Sequence, residues 1–500
     1  MKRLLRVSAA MGGFTVVDVF VGFARAKSSA LLVGPHGVGV LAQLAAVVVF
    51  IETLFSLGVG TPLVKRVAEA TAEGDRRGLD EALSSSLRLI VASGAVASVL
   101  MLALLPQVAG GIIGDRRVTL ALVAVAVTIV PDLIAQALLQ SVQLGAGRYG
   151  LYTKAAVAST VLGFVPYLGG MWLAGVPGAV VGVGAANLIR FALFWHWTRR
   201  ALPWRPSLRL SLSPAVVKAM LSYGAAMLAV SALTEATNLG IRTMVVHRLG
   251  DSANGLLQVP VALSTYASVL ITNVLWAQTL PSLSKRIPHD EREREINETV
   301  RFVALGFTVG GSLLLAVWHP LTLGLYSHKF LPSVGLAPWW VLGDVFYFTA
   351  LAYSVSLLAL PRLVAYLSLW GGYFAVRLVL SWALIGHLRL TGVSVAYTVS
   401  GAAFLVACVW HHRVALSLRT SARNLTVFLT GAAVVGAPAL LNLGWKTAAV
   451  LRVALLALWL AAVLESGERR GGFVAVRQGW EGLRRVTVPG DAELHEPAGP

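Results

Sequence analysis

Asp18 precedes Arg25 by seven residues, and Glu235 precedes Arg242 by the same seven. Seven residues make nearly two turns of α-helix, so each pair lies on one helix face with about 10 Å between its members. An arginine on such a face could hold a phosphate through forked, charge-assisted hydrogen bonds. A carboxylate beside it could take up and release a proton, or hold sodium. Glu52 and Asp132 have the same potential. Asp132 opens a polar stripe, Asp132-Gln136-Gln140, at the four-residue spacing of one helix face, and Pro131 before it can free a backbone carbonyl. Lys27, Arg190 and Arg377 complete the set of candidate cations. The plainer alternatives stand beside these. Arg25, Lys27, Arg242 and Arg248 can snorkel to head groups, as can Arg190 near an inner helix end, and Asp18 or Glu52 can pair structurally with a neighbouring arginine.

The elements that must position these residues follow from composition. Apolar residues make up 57% of the 500 and charged residues 13%, with a mean hydropathy of +0.75. A soluble domain carries about 25% charged residues, so this chain has half the charge needed to coat a water-facing surface. That excludes a soluble enzyme, a disordered regulator, a coiled coil and a disulfide-stapled domain. The single cysteine, Cys408, permits neither an internal disulfide nor a cysteine metal site. The net charge of +18 points to cytoplasmic loops and anionic lipid rather than to nucleic acid.

About 20 residues of helix cross the hydrocarbon layer. Runs of that length fall near 7–32, 38–59, 87–107, 118–140, 153–173, 177–197, 216–247, 256–280, 301–318, 336–358, 363–386, 391–411, 424–442 and 447–464, giving an all-α membrane protein of about fourteen spans. Missing one pair would make it twelve. The basic start, Met1 to Arg6, mimics a signal peptide but leads into further spans, so the first span is expected to stay uncleaved. Continuously apolar runs argue for helices rather than a barrel. With both termini cytoplasmic, 28 of the 41 Lys and Arg fall on inner segments, nine at outer ends and four within spans. That bias is what the positive-inside rule expects.

The two charged pairs belong to an internal repeat. Asp18 and Arg25 recur as Glu235 and Arg242 at an offset of 217, Gly34 and Gly39 as Gly250 and Gly255 at 216, and Gln43 as Gln258. Pro62 with Lys65-Arg66 recurs as Pro281 with Lys285-Arg286. Six spans separate the copies, so both halves enter the membrane in the same direction. Parallel repeats of this kind place a site between two six-helix bundles. The expected division is 1–214 and 215–415 for the bundles, 416–464 for two extra spans and 465–500 for a cytoplasmic tail. The central cavity would be lined by both repeated pairs, basic toward its outer end and acidic deeper in.

No Gly-Lys pair occurs, so the chain has no phosphate loop of the ATPase kind; it also has no His-Glu-x-x-His helix and no Gly-x-Ser-x-Gly elbow. His411 and His412 are adjacent and point apart. No catalytic residue, metal ligand or cofactor is assigned. Gly178-x3-Gly182 and Gly306-x3-Gly310 favour close helix packing, and Trp339-Trp340 reads as an interfacial anchor.

The stretch Gly22-Phe23-Ala24-Arg25-Ala26-Lys27, continuing through Leu32-Val33-Gly34-Pro35-His36-Gly37-Val38-Gly39 to Gln43, resembles the first-helix signature of Wzx-type O-antigen and exopolysaccharide flippases. These belong to the multidrug/oligosaccharidyl-lipid/polysaccharide exporter superfamily. Gln140-Ser141-Val142-Gln143-Leu144 through Arg148 and Tyr149 resembles the segment after that family's fourth helix. The motifs cover the first third well, and the plan of helices covers most of the chain. Two departures stand out. Ala26 follows Arg25 where the related lipid II flippases have an acidic residue, which favours the O-antigen branch. The second half has Gly250-Asp251-Ser252-Ala253 in place of a Gly-Pro-x-Gly turn.

The resemblance implies movement of a polyprenyl-diphosphate-linked oligosaccharide across the bacterial plasma membrane. Membrane lipids and other polysaccharide-assembly proteins are the implied partners, and Arg25 would be a cavity arginine engaging diphosphate. A diphosphate needs a cationic, water-filled path, while the lipid tail can stay in the bilayer. Three alternatives remain open: a multidrug exporter of the same superfamily, a membrane enzyme of polysaccharide assembly, and a non-transporting scaffold. The enzyme would be expected to carry a large external catalytic loop, and the longest loops here are near 20–25 residues.

Overall fold

The computed structural model describes residues 2–201, 214–275, 279–283, 287–360, 362–439, 441 and 443–463. Among these there is no strand. The α-helices are α1 (Lys2–Leu32), α2 (Gly34–Phe55), α3 (Gly60–Glu73), α4 (Arg76–Ala103), α5 (Leu105–Gln107), α6 (Leu122–Leu133), α7 (Gln140–Gly145), α8 (Tyr149–Ala201) and α9 (Pro214–Leu249). Then follow α10 (Asp251–Val274), α11 (Leu280–Leu283), α12 (His289–Ala316), α13 (Trp318–Leu325), α14 (Ala337–Ala359), α15 (Leu363–Ala415), α16 (Ala422–Gly436) and α17 (Trp445–Val463). The tail 465–500 and the pair Lys285-Arg286 lie outside the described residues.

Among the described residues, eight helical runs are long and apolar enough to cross a membrane. Two of them, α8 and α15, are 53 residues long and each is broken once, at Ala174–Gly175 and at Arg389. Each is therefore a hairpin of two spans. Gly178 of α8 packs on the backbone of Gly170, and Gly182 on that of Pro166 and Tyr167, where any Cβ would collide. The Gly178-x3-Gly182 spacing thus serves close packing between the arms. Gly310 meets open space instead. With α1, α9, α10 and α16, the helices occupy all fourteen expected positions.

Each repeat has its own apolar core. One cluster of buried residues is drawn mainly from 40–194, with Leu44, Leu83, Ile129 and Phe194 inside it. The other is drawn mainly from 230–435, with Val303, Trp318, Phe330 and Phe404. Large apolar side chains such as Val99, Val165, Trp172, Val406 and Leu458 face outward, as lipid contact requires.

The repeated glycines sit where the halves meet. Gly34 and Gly250 have φ of +64° and +85° at the turns that start α2 and α10. A Cβ on Gly39 would strike the carbonyl oxygen of Asp251, and one on Gly255 that of Pro35. The two helices therefore touch backbone to backbone at the end that the charge distribution assigns to the outside. Hydrogen bonds gather at the same seam. Gln43 Nε2 donates to Thr243 Oγ1 at 2.8 Å, and Asn254 Nδ2 donates to the Gly39 carbonyl at 2.8 Å.

Several tryptophans are core residues rather than interfacial anchors. Trp340 is buried against Tyr397 with ring centroids 4.7 Å apart, and Trp318, Trp370 and Trp459 are also buried. Tryptophan is large enough to fill space between helices, and a position near a span end does not by itself separate the two uses.

Candidate functional site: a charged cavity on the first helix

Four residues of α1, Asp18, Gly22, Arg25 and Ser29, follow a spacing of four, three and four, which is one helical stripe. They form a wall of a cavity of about 500 Å³. Its polar lining also includes Glu52 of α2, Asp132 of α6, Tyr167 and Arg190 from the two arms of α8, and Gln258 and Tyr266 of α10. Most of the lining comes from the first half; α10 and Tyr326 close it from the second.

Two arginines face this space in different ways. The Arg25 guanidinium lies 4.7 Å from the centre of the Tyr167 ring. Tyr167 in turn is fixed by a 2.9 Å hydrogen bond between its hydroxyl and Ser29. Stacking holds the guanidinium plane while leaving its N–H groups for another acceptor. No carboxylate pairs with Arg25 among the described residues. Arg190, 35% exposed, donates from Nη1 to Asp132 Oδ1 at 2.9 Å; Asp132 is wholly buried.

The carboxylates form a chain along the wall. Gln136 Nε2 donates to Asp132 Oδ2 at 2.9 Å and to Glu52 Oε2 at 3.0 Å, so one amide bridges two acids. Gln140, the third member of the stripe, is not part of this wall. Residues Ile134–Leu139 form a π-helix, whose wider turn shifts the register between Gln136 and Gln140. Asp18 lines the same cavity and makes no ion pair among the described residues.

The remaining candidates lie elsewhere. Lys27 donates to the carbonyls of Leu323 and Tyr326 at 3.2 and 2.8 Å, tying α1 to the second half. Arg242 is 8% exposed and donates to Asn254 Oδ1 at 3.0 Å and Gln258 Oε1 at 2.6 Å. Glu235 is half-buried on α9 and Arg377 is buried on α15. Arg377 donates to Asn238 Oδ1 at 3.2 Å and stacks 4.8 Å from the centre of the Tyr397 ring. Tyr397 donates to Asp344 Oδ1 at 2.8 Å.

Asp344 is the intramembrane carboxylate that the reading of charges passed over. A signal was present. It is the sole acid in the run 336–358 and follows Asp132 by 212 residues, close to the repeat offset. Tyr167 and Gln258 were equally hard to single out, since only the folded positions of α8 and α10 show what they face. His412 is a satisfied core histidine, with Ser356 Oγ at 2.7 Å from Nε2 and the Cys408 carbonyl at 2.8 Å from Nδ1.

Two repeated helical halves, tightly joined at one end, enclose the charged cavity. Solved structures share this fold. An inward-facing multidrug-resistance MATE family transporter of the MOP superfamily superposes with a TM-score of 0.69 at 15% identity, covering 82% of this chain and 99% of that one. The lipid II flippase MurJ, in an inward closed conformation, gives 0.65 at 12% identity, covering 92% and 98%. A MOP superfamily transporter from Pyrococcus furiosus, described by a reversed polarity of its binding pocket, gives 0.59 at 15%, covering 83% and 96%. No curated protein sequence matches the chain. The chain belongs to the polysaccharide biosynthesis protein family, whose model matches residues 30–335.

Proposed function

We propose that the protein is a flippase that carries a polyprenyl-diphosphate-linked oligosaccharide from the inner to the outer leaflet of a bacterial plasma membrane, with both termini cytoplasmic. The observation that carries this reading is Arg25, stacked on Tyr167 at the cavity wall with no carboxylate partner among the described residues. It is a pre-oriented cation with free donors, suited to a diphosphate. Arg190 is the second candidate ligand, once it exchanges Asp132 for phosphate. The family match and the likeness to a lipid II flippase support the same direction. Alternating access would come from the halves rocking about this cavity. Lys27, Arg242 and Arg377 already have protein partners, so they serve best as supports of the two halves, becoming available to substrate only if those contacts open.

Ion coupling belongs to the same proposal. Among the described residues Glu52 and Asp132 share one amide donor, Gln136, and one cation, Arg190, which makes them the best candidates to take up a proton; Asp18 and Glu235 follow. Contacts with other polysaccharide-assembly proteins would be made from the loops and tail.

One observation favours a second reading. Three carboxylates (Asp18, Glu52, Asp132) face two arginines in the cavity, a balance that also suits cationic small molecules, as in a multidrug exporter. Reconstituted protein, a fluorescent polyprenyl-diphosphate oligosaccharide and cationic dyes separate the two. Flipping that is lost in Arg25→Gln and weakened in Arg190→Gln supports the first reading. Dye extrusion by the unaltered protein without flipping replaces it with the second. For coupling, Glu52→Gln or Asp132→Asn should abolish gradient-driven transport and spare head-group binding; unaltered transport in both would sink that part.

A further inference from the structure

The seam between the halves carries a histidine that the cavity does not use. His36 stands in the first turn of α2, after Gly34 and Pro35, and its side chain is 56% exposed at the expected outer surface. Its Nδ1 is 3.4 Å from Asp251 Oδ2, and its Nε2 is 3.9 Å from Asp115 Oδ2. Asp115 belongs to the first half, where it caps the short 3₁₀ turn Arg116–Val118. Asp251 is the first residue of α10 in the second half. Both carboxylates are largely covered, at 13% and 11% exposure. The other oxygen of Asp251 is buried without a hydrogen-bond partner, against Gly114, where a Cβ would crowd it. The imidazole thus bridges two acids from opposite halves, directly above the Gly39–Gly255 contact.

We propose that His36, Asp115 and Asp251 form a proton-operated latch that holds the two halves together at the outer end. The proposal goes beyond transport of any particular substrate and rests only on the halves separating there. Imidazole is the side chain that changes charge between pH 5 and 8. With His36 protonated, one cation satisfies two acids across the seam. With His36 neutral, Asp115 and Asp251 repel each other across it, and Asp251 keeps only a neutral partner. The sign follows from linkage: the closed seam stabilises the protonated form, so it binds protons more tightly than the open one, and acid favours closure.

The other charged groups around His36 are engaged or directed elsewhere. His247 of α9 contacts the Gly111 carbonyl through Nε2 at 2.6 Å. Arg248 donates to the Trp382 carbonyl at 3.0 Å, Arg116 lies over Gly110, and Arg117 is exposed. Lys27 is held by Leu323 and Tyr326. His247 also spans the seam. It meets a carbonyl and no carboxylate there, so it serves as the control.

The test uses full-length protein in lipid nanodiscs, without substrate, in a Cys408→Ser background. Spin labels at Leu120→Cys and Leu388→Cys, exposed positions of the two halves at the expected outer end, report the separation by pulsed EPR at pH 5 and pH 8. The closed-to-open ratio is expected to rise about threefold or more from pH 8 to pH 5. His36→Gln should flatten that dependence and His247→Gln should leave it. Asp115→Asn, a change outside α10 that keeps the side-chain oxygen capping Arg116–Val118, should reduce it and guards against misfolding at α10. A change below about twofold in the unaltered protein, or one retained by His36→Gln, overturns the latch. Either result leaves the flippase reading to its own transport assay.

Discussion

Replacing Arg190 by methionine tests whether the cavity wall is held by its ion pair. Methionine keeps most of the stem volume and removes the cation. Asp132, with no exposed surface, would keep only the Gln136 amide it shares with Glu52. Removing one partner of a buried pair costs roughly 3–5 kcal/mol. Because Arg190 is 35% exposed to the cavity, water screens the pair, and about 3 kcal/mol is the expected loss. The reverse change, Asp132→Asn, leaves a cation that still reaches cavity water, and should cost only about 1–2 kcal/mol for the charge-assisted bond. The double variant should then be no worse than Arg190→Met alone, a coupling of roughly 1–2 kcal/mol. Equilibrium unfolding of the four proteins in mixed micelles measures all three terms. Equal losses in the two single variants, or strict additivity in the double, would refute the view that burial of Asp132 sets the asymmetry.

Three further outcomes follow from the geometry. Gly39→Val should hold the outer end apart, because its Cβ meets the Asp251 backbone; overpacking of about 1–3 kcal/mol should raise thiol labelling of cysteines placed along the seam, and unchanged labelling would count against the backbone contact. Arg389→Gly should stabilise the protein by about 1 kcal/mol, since Arg389 is exposed and holds φ +52° and ψ −133°, a region suited to glycine; loss of stability would reveal a role for the side chain. Tyr167→Leu should weaken oligosaccharide flipping almost as much as Arg25→Gln while Tyr167→Phe, which keeps the ring, should retain most of it. Equal loss in both would assign Tyr167's role to its hydroxyl and Ser29.

The helices were legible because membrane crossing demands long apolar runs, and the repeat was legible because backbone contact demands glycine. Gly39 and Gly255, noticed as a spacing, prove to be the points where α2 and α10 touch. Which charged residues share a cavity was less legible. Asp18, Arg25, Glu52, Asp132 and Arg190 come together, whereas Lys27, Arg242, Arg377 and Glu235 are elsewhere. A sequence shows that a charge lies within a span but not which way the helix is rotated, and rotation decides between cavity, seam and core. The π-helix at Ile134–Leu139 shows the same limit: it breaks a four-residue stripe after two members with no change in composition.

The repeat carries its own lesson about the site. Arg25 and Arg242 are equivalent in sequence, and symmetry would have them do the same work. Arg25 meets Tyr167 and the cavity, while Arg242 meets Asn254 and Gln258. Part of the difference lies in Asn254, which has Val38 as its counterpart at the 216-residue offset. An asparagine there supplies an acceptor that turns Arg242 inward and, through its amide, a donor to the Gly39 carbonyl across the seam. A valine supplies neither, so Arg25 is left to the cavity. Divergence at this position of a shared seam thus accompanies the split between the two arginines, Arg25 lining the cavity and Arg242 joining the contact between the halves.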